Sequence, residues 1–103
     1  KRMAMTLTAL ALSVIMAVPS YAGTWKYVND QWKYQRGANK FAYNEWVKDN
    51  GNWYYLDKDG YMKTGWIDWE GKSYYCSENG DMLTNCMTPD NYLVGEDGAW
   101  IAQ

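Results

Sequence analysis

Tryptophan and tyrosine are the residues of this sequence best suited to do chemistry, because they recur at fixed distances. Trp46 and Trp53 are seven residues apart, and so are Trp25 and Trp32. The face of an aromatic ring is electronegative, so several rings around one space attract a cation that has no hydrogen-bond donors, at about 0.5 to 2 kcal/mol per ring. The same rings could instead stack on sugars or pack a core. The spacing therefore predicts either aromatic cages or a ring-rich interior.

Composition excludes most catalytic and metal chemistry. The chain of 103 residues has no histidine and only two cysteines, which excludes His-dependent catalysis, His-ligated metals and Cys-rich zinc sites. Residues 57–60 open like a calcium loop but lack the later ligands, so we interpret them as a turn. Asp68 and Glu70 are expected to be solvated turn charges rather than a glycosidase pair. We predict no enzyme, no cofactor and no metal.

Charge argues against a nucleic-acid partner. The chain has 10 basic and 12 acidic side chains, and hence no basic surplus to neutralise a phosphate backbone.

The first 22 residues predict a helical secretory signal peptide. Two basic residues precede an apolar run from Met3 to Val18, and Pro19 is followed by a small-residue pattern that ends at Ala22. We expect cleavage after Ala22, secretion, and no transmembrane span in the mature form. Cleavage leaves 81 residues with 8 basic and 12 acidic side chains, so the mature protein is acidic.

A repeat of 20 residues organises the rest of the chain. The aligned pairs are Trp46 and Trp66, Gly51 and Gly71, Tyr54 and Tyr74, Gly60 and Gly80, and Met62 and Met82. Aromatic and β-branched runs separated by Asn-Gly and Asp-Gly predict strands joined by tight turns. Because an isolated hairpin is marginal in water, the units must stack. We therefore predict an all-β solenoid of stacked β-hairpins with an aromatic core, forming one domain over residues 23–103.

Four units are predicted, at residues 23–43, 44–63, 64–83 and 84–103. The outer units depart from the pattern, as terminal capping units do. In the last unit Cys86 is expected in the place of Trp66. Cys76 and Cys86 predict either a disulfide across successive hairpins or two buried thiols.

The stretch from Asn44 to Trp66 resembles the choline-binding, or cell-wall-binding, repeat of Gram-positive surface proteins. The matching motifs are Asn44-Glu45-Trp46, Gly51-Asn52-Trp53-Tyr54-Tyr55-Leu56-Asp57 and Asp59-Gly60-Tyr61-Met62-Lys63-Thr64-Gly65-Trp66. The resemblance covers essentially all of residues 23–103. It implies a left-handed superhelix of β-hairpins without catalytic activity, in which choline lies between consecutive repeats in cages of aromatic side chains.

The resemblance also implies which residues form the cages. One choline cage is expected from Trp46, Trp53, Tyr75 and Met82, and a second from Trp25, Trp32, Tyr55 and Met62. A third site beside Trp66 is expected to be damaged. Ser73 stands where its second tryptophan belongs, and Leu93 where its tyrosine does.

These features predict a non-catalytic module that attaches to the cell wall through choline-decorated teichoic and lipoteichoic acids. One alternative is a glycan-binding module for glucan-like polymers or other wall glycans, since ring faces also stack on sugars. Another is a structural or protein-interaction solenoid with empty cages. A sugar site should carry hydrogen-bonding side chains beside its rings.

Overall fold

The computed structural model describes residues 23–102, in which every regular element is a β-strand. The strands are β1 (Thr24–Val28), β2 (Gln31–Gly37), β3 (Lys40–Phe41), β4 (Glu45–Asp49), β5 (Asn52–Leu56), β6 (Gly65–Trp69), β7 (Lys72–Cys76), β8 (Cys86–Met87) and β9 (Leu93–Val94). The predicted all-β class is confirmed for these residues, and the predicted signal peptide lies outside them. Within residues 23–102 no helix is long and apolar enough to cross a membrane.

The strands form four antiparallel hairpins in chain order. They pair β1 with β2, β4 with β5, β6 with β7 and β8 with β9, and β3 adds a third strand beside β2. In each of the first three hairpins a tryptophan lies opposite a tyrosine. These cross-strand pairs are Trp25 and Tyr34, Trp46 and Tyr55, and Trp66 and Tyr75. The repeated sequence thus folds as a repeated hairpin.

The tight turns of these three hairpins require positive φ at two successive residues. The turn pairs are Asn29-Asp30, Asn50-Gly51 and Glu70-Gly71, with φ between 49° and 83°. Glycine adopts this conformation without steric cost and asparagine at little cost, which explains the predicted Asn-Gly turn. Glu70 is the exception, because glutamate has no such preference.

The segment at residues 57–60 is a turn, as predicted. Its Asp57 carboxylate accepts hydrogen bonds from the backbone N–H groups of Asp59 and Tyr61, both at 2.9 Å. The Asp57 carboxylate therefore stabilises the turn through these hydrogen bonds. In the described part of the chain no group of three acidic or cysteine residues is placed to hold a metal ion.

After the turn at residues 57–60, and after the equivalent turns of the later units, a short segment forms hydrogen bonds that join its hairpin to the preceding hairpin. The Met62 backbone N–H donates to the Trp32 carbonyl of the preceding hairpin, while the next N–H, of Lys63, donates to Tyr55 of its own hairpin, both at 2.8 Å. The equivalent bonds to a preceding hairpin join Met82 to Trp53 and Trp100 to Ser73. Main-chain hydrogen bonds thus fix the register between successive hairpins.

The interior is formed mainly by small and aliphatic side chains. The buried hydrophobic residues are Tyr34, Ala42, Val47, Leu56, Ile67, Cys76, Val94 and Ala99. The prediction of an aromatic core is therefore wrong for the centre of the fold, where most buried side chains are small or aliphatic. Trp32 and Trp53 remain 41% and 39% exposed, so these large rings line the spaces between hairpins instead.

Cys76 and Cys86 are both free, so the predicted disulfide is not formed. Cys76 takes the fully buried place that Leu56 and Val94 occupy in the neighbouring hairpins. Burial, together with the Asp81 carboxylate, raises the pKa of the Cys76 thiol to about 12. A neutral, buried thiol is a poor nucleophile and packs as a small apolar side chain.

The last hairpin aligns with the others differently from the sequence prediction. Cys86 lies opposite Val94, just as Gly65 lies opposite Cys76. Met87, and not Cys86, therefore stands at the position of Trp66. The shift arises because the segment before the last hairpin is one residue longer than a strict period of 20 allows.

Candidate functional site

Grooves between successive hairpins bring the aromatic residues together. Successive side chains of a strand point to opposite faces. In the second hairpin the front face therefore carries Trp46 and Trp53, and the back face carries Tyr54; the equivalent positions of the other hairpins lie on the same two faces. The front face of one hairpin contacts the back face of the next. Three such grooves result, named A, B and C in chain order.

Groove B lies between the second and third hairpins and has the most aromatic lining. Its lining residues are Trp46, Trp53, Trp69, Tyr74, Met82 and Asp97. The ring centroids of Trp46 and Tyr74 are 5.4 Å apart, and those of Trp46 and Trp69 are 6.3 Å apart, with interplanar angles of 69° and 86°. These rings bound a cavity of about 230 Å³.

Groove A lies between the first two hairpins and has the same plan. Its lining residues are Trp25, Trp32, Tyr54, Met62 and Asn79. The Trp25 and Tyr54 rings are 5.1 Å apart at 68°, and the cavity is about 220 Å³. Asn79 comes from the third hairpin unit, in the same way that Asp97 reaches groove B from the fourth.

The structure corrects the tyrosine in each predicted cage. The tryptophans and methionines predicted for both cages do line the grooves, but Tyr74 replaces Tyr75 in groove B and Tyr54 replaces Tyr55 in groove A. Tyr75 packs on the other face of its hairpin, 5.1 Å from Trp66. The reason is the alternation of side chains along a strand, which sends neighbouring tyrosines to opposite faces.

One position controls the indole N–H of the first tryptophan in each groove. Trp25 donates to Asp49 at 3.1 Å, and Trp66 donates to Asp90 at 2.9 Å. In groove B the corresponding residue is Trp69, and the buried Trp46 indole N–H has no hydrogen-bond partner. Groove B thus exchanges a hydrogen bond for a further ring.

Groove C, between the third and fourth hairpins, is better formed than the sequence predicted. Its lining residues are Trp66, Asp68, Ser73, Asp90, Tyr92 and Trp100. Tyr92, and not Leu93, supplies the back-face tyrosine, with its ring 5.7 Å from Trp66 and 6.3 Å from Trp100. Trp100 holds the place that Met82 has in groove B. Only the second tryptophan is missing, and the cavity of about 350 Å³ is correspondingly larger.

The charged residues that line the cavities are aspartates, and the Lys48 ammonium lies 5.8 Å from the Trp53 ring centroid at groove B. Asp97 at groove B also lies 3.8 Å from the Lys72 ammonium, but both side chains are largely exposed, so this ion pair is weak. At groove C, hydrogen bonds from the Thr88 hydroxyl and the Trp66 indole hold the pKa of Asp90 below its ordinary value. The Asp90 carboxylate is therefore ionised at neutral pH and attracts cations or hydroxyl donors.

Sequence reasoning missed Trp69, Asp97 and Asn79 as groove residues. The period of 20 aligns Trp69 with Asp49, so this difference between the repeats is visible in the sequence. Asp97 and Asn79 are contributed by a unit two positions along the chain, and no comparison of adjacent repeats indicates them.

Two family models match the chain. The putative cell wall binding repeat matches residues 44–62, and the choline-binding repeat matches residues 63–100. Glucosyltransferase-S of Streptococcus mutans is 33% identical over 83 residues, which is 74% of this chain and 6% of that protein.

Solved structures show the same fold. Choline binding protein F from Streptococcus pneumoniae is 37% identical with a TM-score of 0.68, over 76% of this chain and 26% of that one. The choline binding domain of Spr1274 from Streptococcus pneumoniae is 35% identical with a TM-score of 0.69, over 76% of this chain and 93% of that domain. This chain belongs to the choline-binding, or cell-wall-binding, repeat family.

Proposed function

We propose that this chain is a non-catalytic module that attaches to the cell wall by binding choline groups of teichoic and lipoteichoic acids in grooves A and B. In this proposal its hairpins are the turns of a solenoid over residues 23–103, which is secreted after removal of residues 1–22. The observation that carries the proposal is groove B, where four rings and Met82 surround a small cavity beside the Asp97 carboxylate.

The contents of groove B match the chemistry of a quaternary ammonium. Such a cation donates no hydrogen bond, so the attraction must come from ring faces, at about 0.5 to 2 kcal/mol each, and from fixed negative charge. Rings at nearly perpendicular angles present faces and edges from several directions around one space. Asp97 adds a favourable Coulomb term, although screening limits its range to about 8 Å in physiological salt.

The chain already holds one of its own cations in this way. The Lys33 ammonium lies 4.9 Å from the Phe41 ring centroid, 5.5 Å from that of Tyr43 and 5.1 Å from that of Tyr61. This cluster is separate from the three grooves. It supports the proposal because the same fold surrounds an alkylammonium group with three rings.

Grooves A and B differ in one ring and in the position of one carboxylate, which predicts different affinities. Both offer two tryptophans, a tyrosine and a methionine, but groove A has the neutral Asn79 where groove B has Asp97. Groove B also has Trp69 where groove A has Asp49. We therefore expect groove B to bind choline more tightly than groove A.

The test is calorimetric titration of the protein with choline and with 3,3-dimethylbutan-1-ol, the neutral isostere in which carbon replaces nitrogen. Choline should bind, and the isostere should bind at least several-fold more weakly because it lacks the charge that ring faces attract. Trp53→Ala should weaken choline binding to groove B by about 1 to 2 kcal/mol, and Trp53→Phe by less.

The control is Trp100→Ala, which removes a comparably exposed ring from groove C and should leave the choline titration unchanged. Equal binding of choline and its isostere, or no binding of either, would overturn the proposal. Retention on an immobilised choline column and release by free choline, with an immobilised dextran column run in parallel, tests the same point on a multivalent surface.

A further inference from the structure

Groove C differs from grooves A and B in the chemistry of its lining. Ser73 stands where the other grooves have an exposed tryptophan, and Trp100 stands where they have a methionine. The cavity is about 350 Å³, compared with about 230 Å³ in groove B. The loss of one ring therefore opens a wider space that is aromatic on one side and polar on the other.

The polar side is held in a fixed arrangement by its own hydrogen bonds. The Ser73 hydroxyl donates to Asp68 Oδ1 at 2.7 Å. Asp90 accepts from the Trp66 indole N–H at 2.9 Å and from the Thr88 hydroxyl at 2.6 Å. A carboxylate offers about four lone-pair sites, so both aspartates can still accept hydrogen bonds from a ligand.

The aromatic side of groove C is accessible. Tyr92 is 46% exposed and Trp100 is 44% exposed, and their ring centroids are 6.3 Å apart at an angle of 77°. A pyranose ring has apolar C–H faces that pack on such rings and hydroxyl groups around its edge that donate to carboxylates. A mainly apolar lining with a few placed polar groups is the usual composition of a small-molecule site.

A quaternary ammonium fits groove C less well. It has no donor for the oriented oxygens of Asp68, Ser73 and Asp90, and no ring closes the cavity on the side of Ser73. Attraction to exposed carboxylates alone is weak in salt. The two ligand classes therefore separate by groove.

We propose that groove C binds a neutral pyranose ring of a glycan, through stacking on Tyr92 and Trp100 and hydrogen bonds to Asp68 and Asp90. This site is distinct from grooves A and B, and it does not depend on choline binding there. A single module then recognises a cationic substituent in one set of grooves and a sugar ring in another.

The experiment uses the indole N–H signals in proton–nitrogen NMR spectra of the protein over residues 23–103. Trp66→Phe, Trp100→Phe and Trp46→Phe assign the signals of interest. The probes are isomaltotriose and cellotriose, two neutral glucose trisaccharides of opposite anomeric linkage, and choline. At least one trisaccharide should shift the Trp100 and Trp66 signals and leave the Trp46 signal in place.

Two variants test the specificity. Ser73→Trp restores the tryptophan found in groove B, and should lower trisaccharide affinity about tenfold while allowing choline to shift the Trp100 signal. Trp100→Ala should lower trisaccharide affinity by a similar factor, whereas the matched change Met82→Ala in groove B should not alter it.

The proposal is overturned if tens of millimolar of either trisaccharide shift no groove C signal. It is also overturned if choline, but neither trisaccharide, shifts the Trp100 signal of the unmodified protein. Choline shifts at Trp46 report on the proposed function separately, so the failure of one proposal is distinguishable from the failure of the other.

Discussion

At the scale of single residues, position 69 shows how one substitution changes a groove. Asp49 and Asp90 each accept the indole N–H of a tryptophan, whereas Trp69 leaves the Trp46 N–H buried without a partner. An unsatisfied buried donor costs about 1 to 3 kcal/mol. The unpaired Trp46 indole N–H lies in the groove with the most rings. This supports a functional reason for having Trp69, rather than an aspartate, at this position.

Substitutions at Trp69 should separate the hydrogen bond from the ring. Trp69→Ala and Trp69→Asp both remove a ring from groove B, so both should weaken choline binding, but Trp69→Asp should weaken it less because its carboxylate attracts the cation. Only Trp69→Asp restores an acceptor for Trp46, so it should be about 1 kcal/mol more stable than Trp69→Ala. Chemical denaturation and choline titration of both variants test this. Equal stability of the two variants would show that the Trp46 N–H carries no penalty.

The turn residue Glu70 offers a second test at this scale. Its φ of 49° lies in the left-handed region, where Asn50 has the corresponding place in the preceding hairpin. Because asparagine tolerates this conformation better than glutamate, Glu70→Asn should stabilise the protein by about 1 kcal/mol. Asn50→Glu is the matched reverse change and should destabilise it. The measurement is the thermal unfolding midpoint, and a lower midpoint for Glu70→Asn would contradict the argument.

At the scale of the strand, the alternation of side chains decides which tyrosine takes part in which groove. Tyr74 lies 5.4 Å from Trp46 in groove B, while Tyr75 lies 5.1 Å from Trp66 on the opposite face. Tyr74→Ala should therefore weaken choline binding to groove B by about 1 to 2 kcal/mol. Tyr75→Ala should leave that binding unchanged, although it removes packing beside groove C. Calorimetric titration of both variants distinguishes the residues, and the reverse pattern would restore the sequence-based assignment.

The sequence predicts the hairpins better than it predicts their faces. Asn50-Gly51 and the period of 20 are local signals, and both led to the hairpins that the structure contains. The tyrosine pair is ambiguous because both residues are aromatic and adjacent, so only the pairing register tells which one faces the preceding hairpin. The shift in the last hairpin, from Cys86 to Met87, has a similar cause. One additional residue before a strand moves every side chain to a new position.

Contacts between units that are not neighbours are harder still to predict. Asp97 lines groove B although Trp46 and Trp53 lie two units earlier in the chain. Its position follows from the stacking of three units, which depends on the bonds that join Met82 to Trp53 and Trp100 to Ser73. The predicted tryptophans and methionines therefore do line grooves A and B, but the prediction contained none of the charged lining.

At the scale of the whole molecule, the repetition of grooves matters more than the affinity of any one groove. A cage of a few rings provides only modest affinity, but two cages that engage one choline-bearing polymer act together. Once the first choline is bound, the second binds at an effective concentration set by the polymer, so overall avidity can exceed either single affinity by about 100-fold or more. Attachment to a wall polymer should then depend steeply on the number of intact grooves.

This dependence predicts a difference between monovalent and multivalent ligands. Trp32→Ala damages groove A and Trp53→Ala damages groove B, and each should weaken one class of site in a titration with free choline while leaving the other intact. On a surface that carries many choline groups, either single variant should be retained far more weakly than the weakening of one site accounts for, because the avidity term falls with it. Without free choline, the double variant should be retained on the surface as poorly as a single variant is when saturating free choline competes for its grooves. Surface-binding measurements across a range of choline densities test this argument. If retention falls only in proportion to the number of intact grooves at every density, then the grooves act independently and the module is not a multivalent anchor.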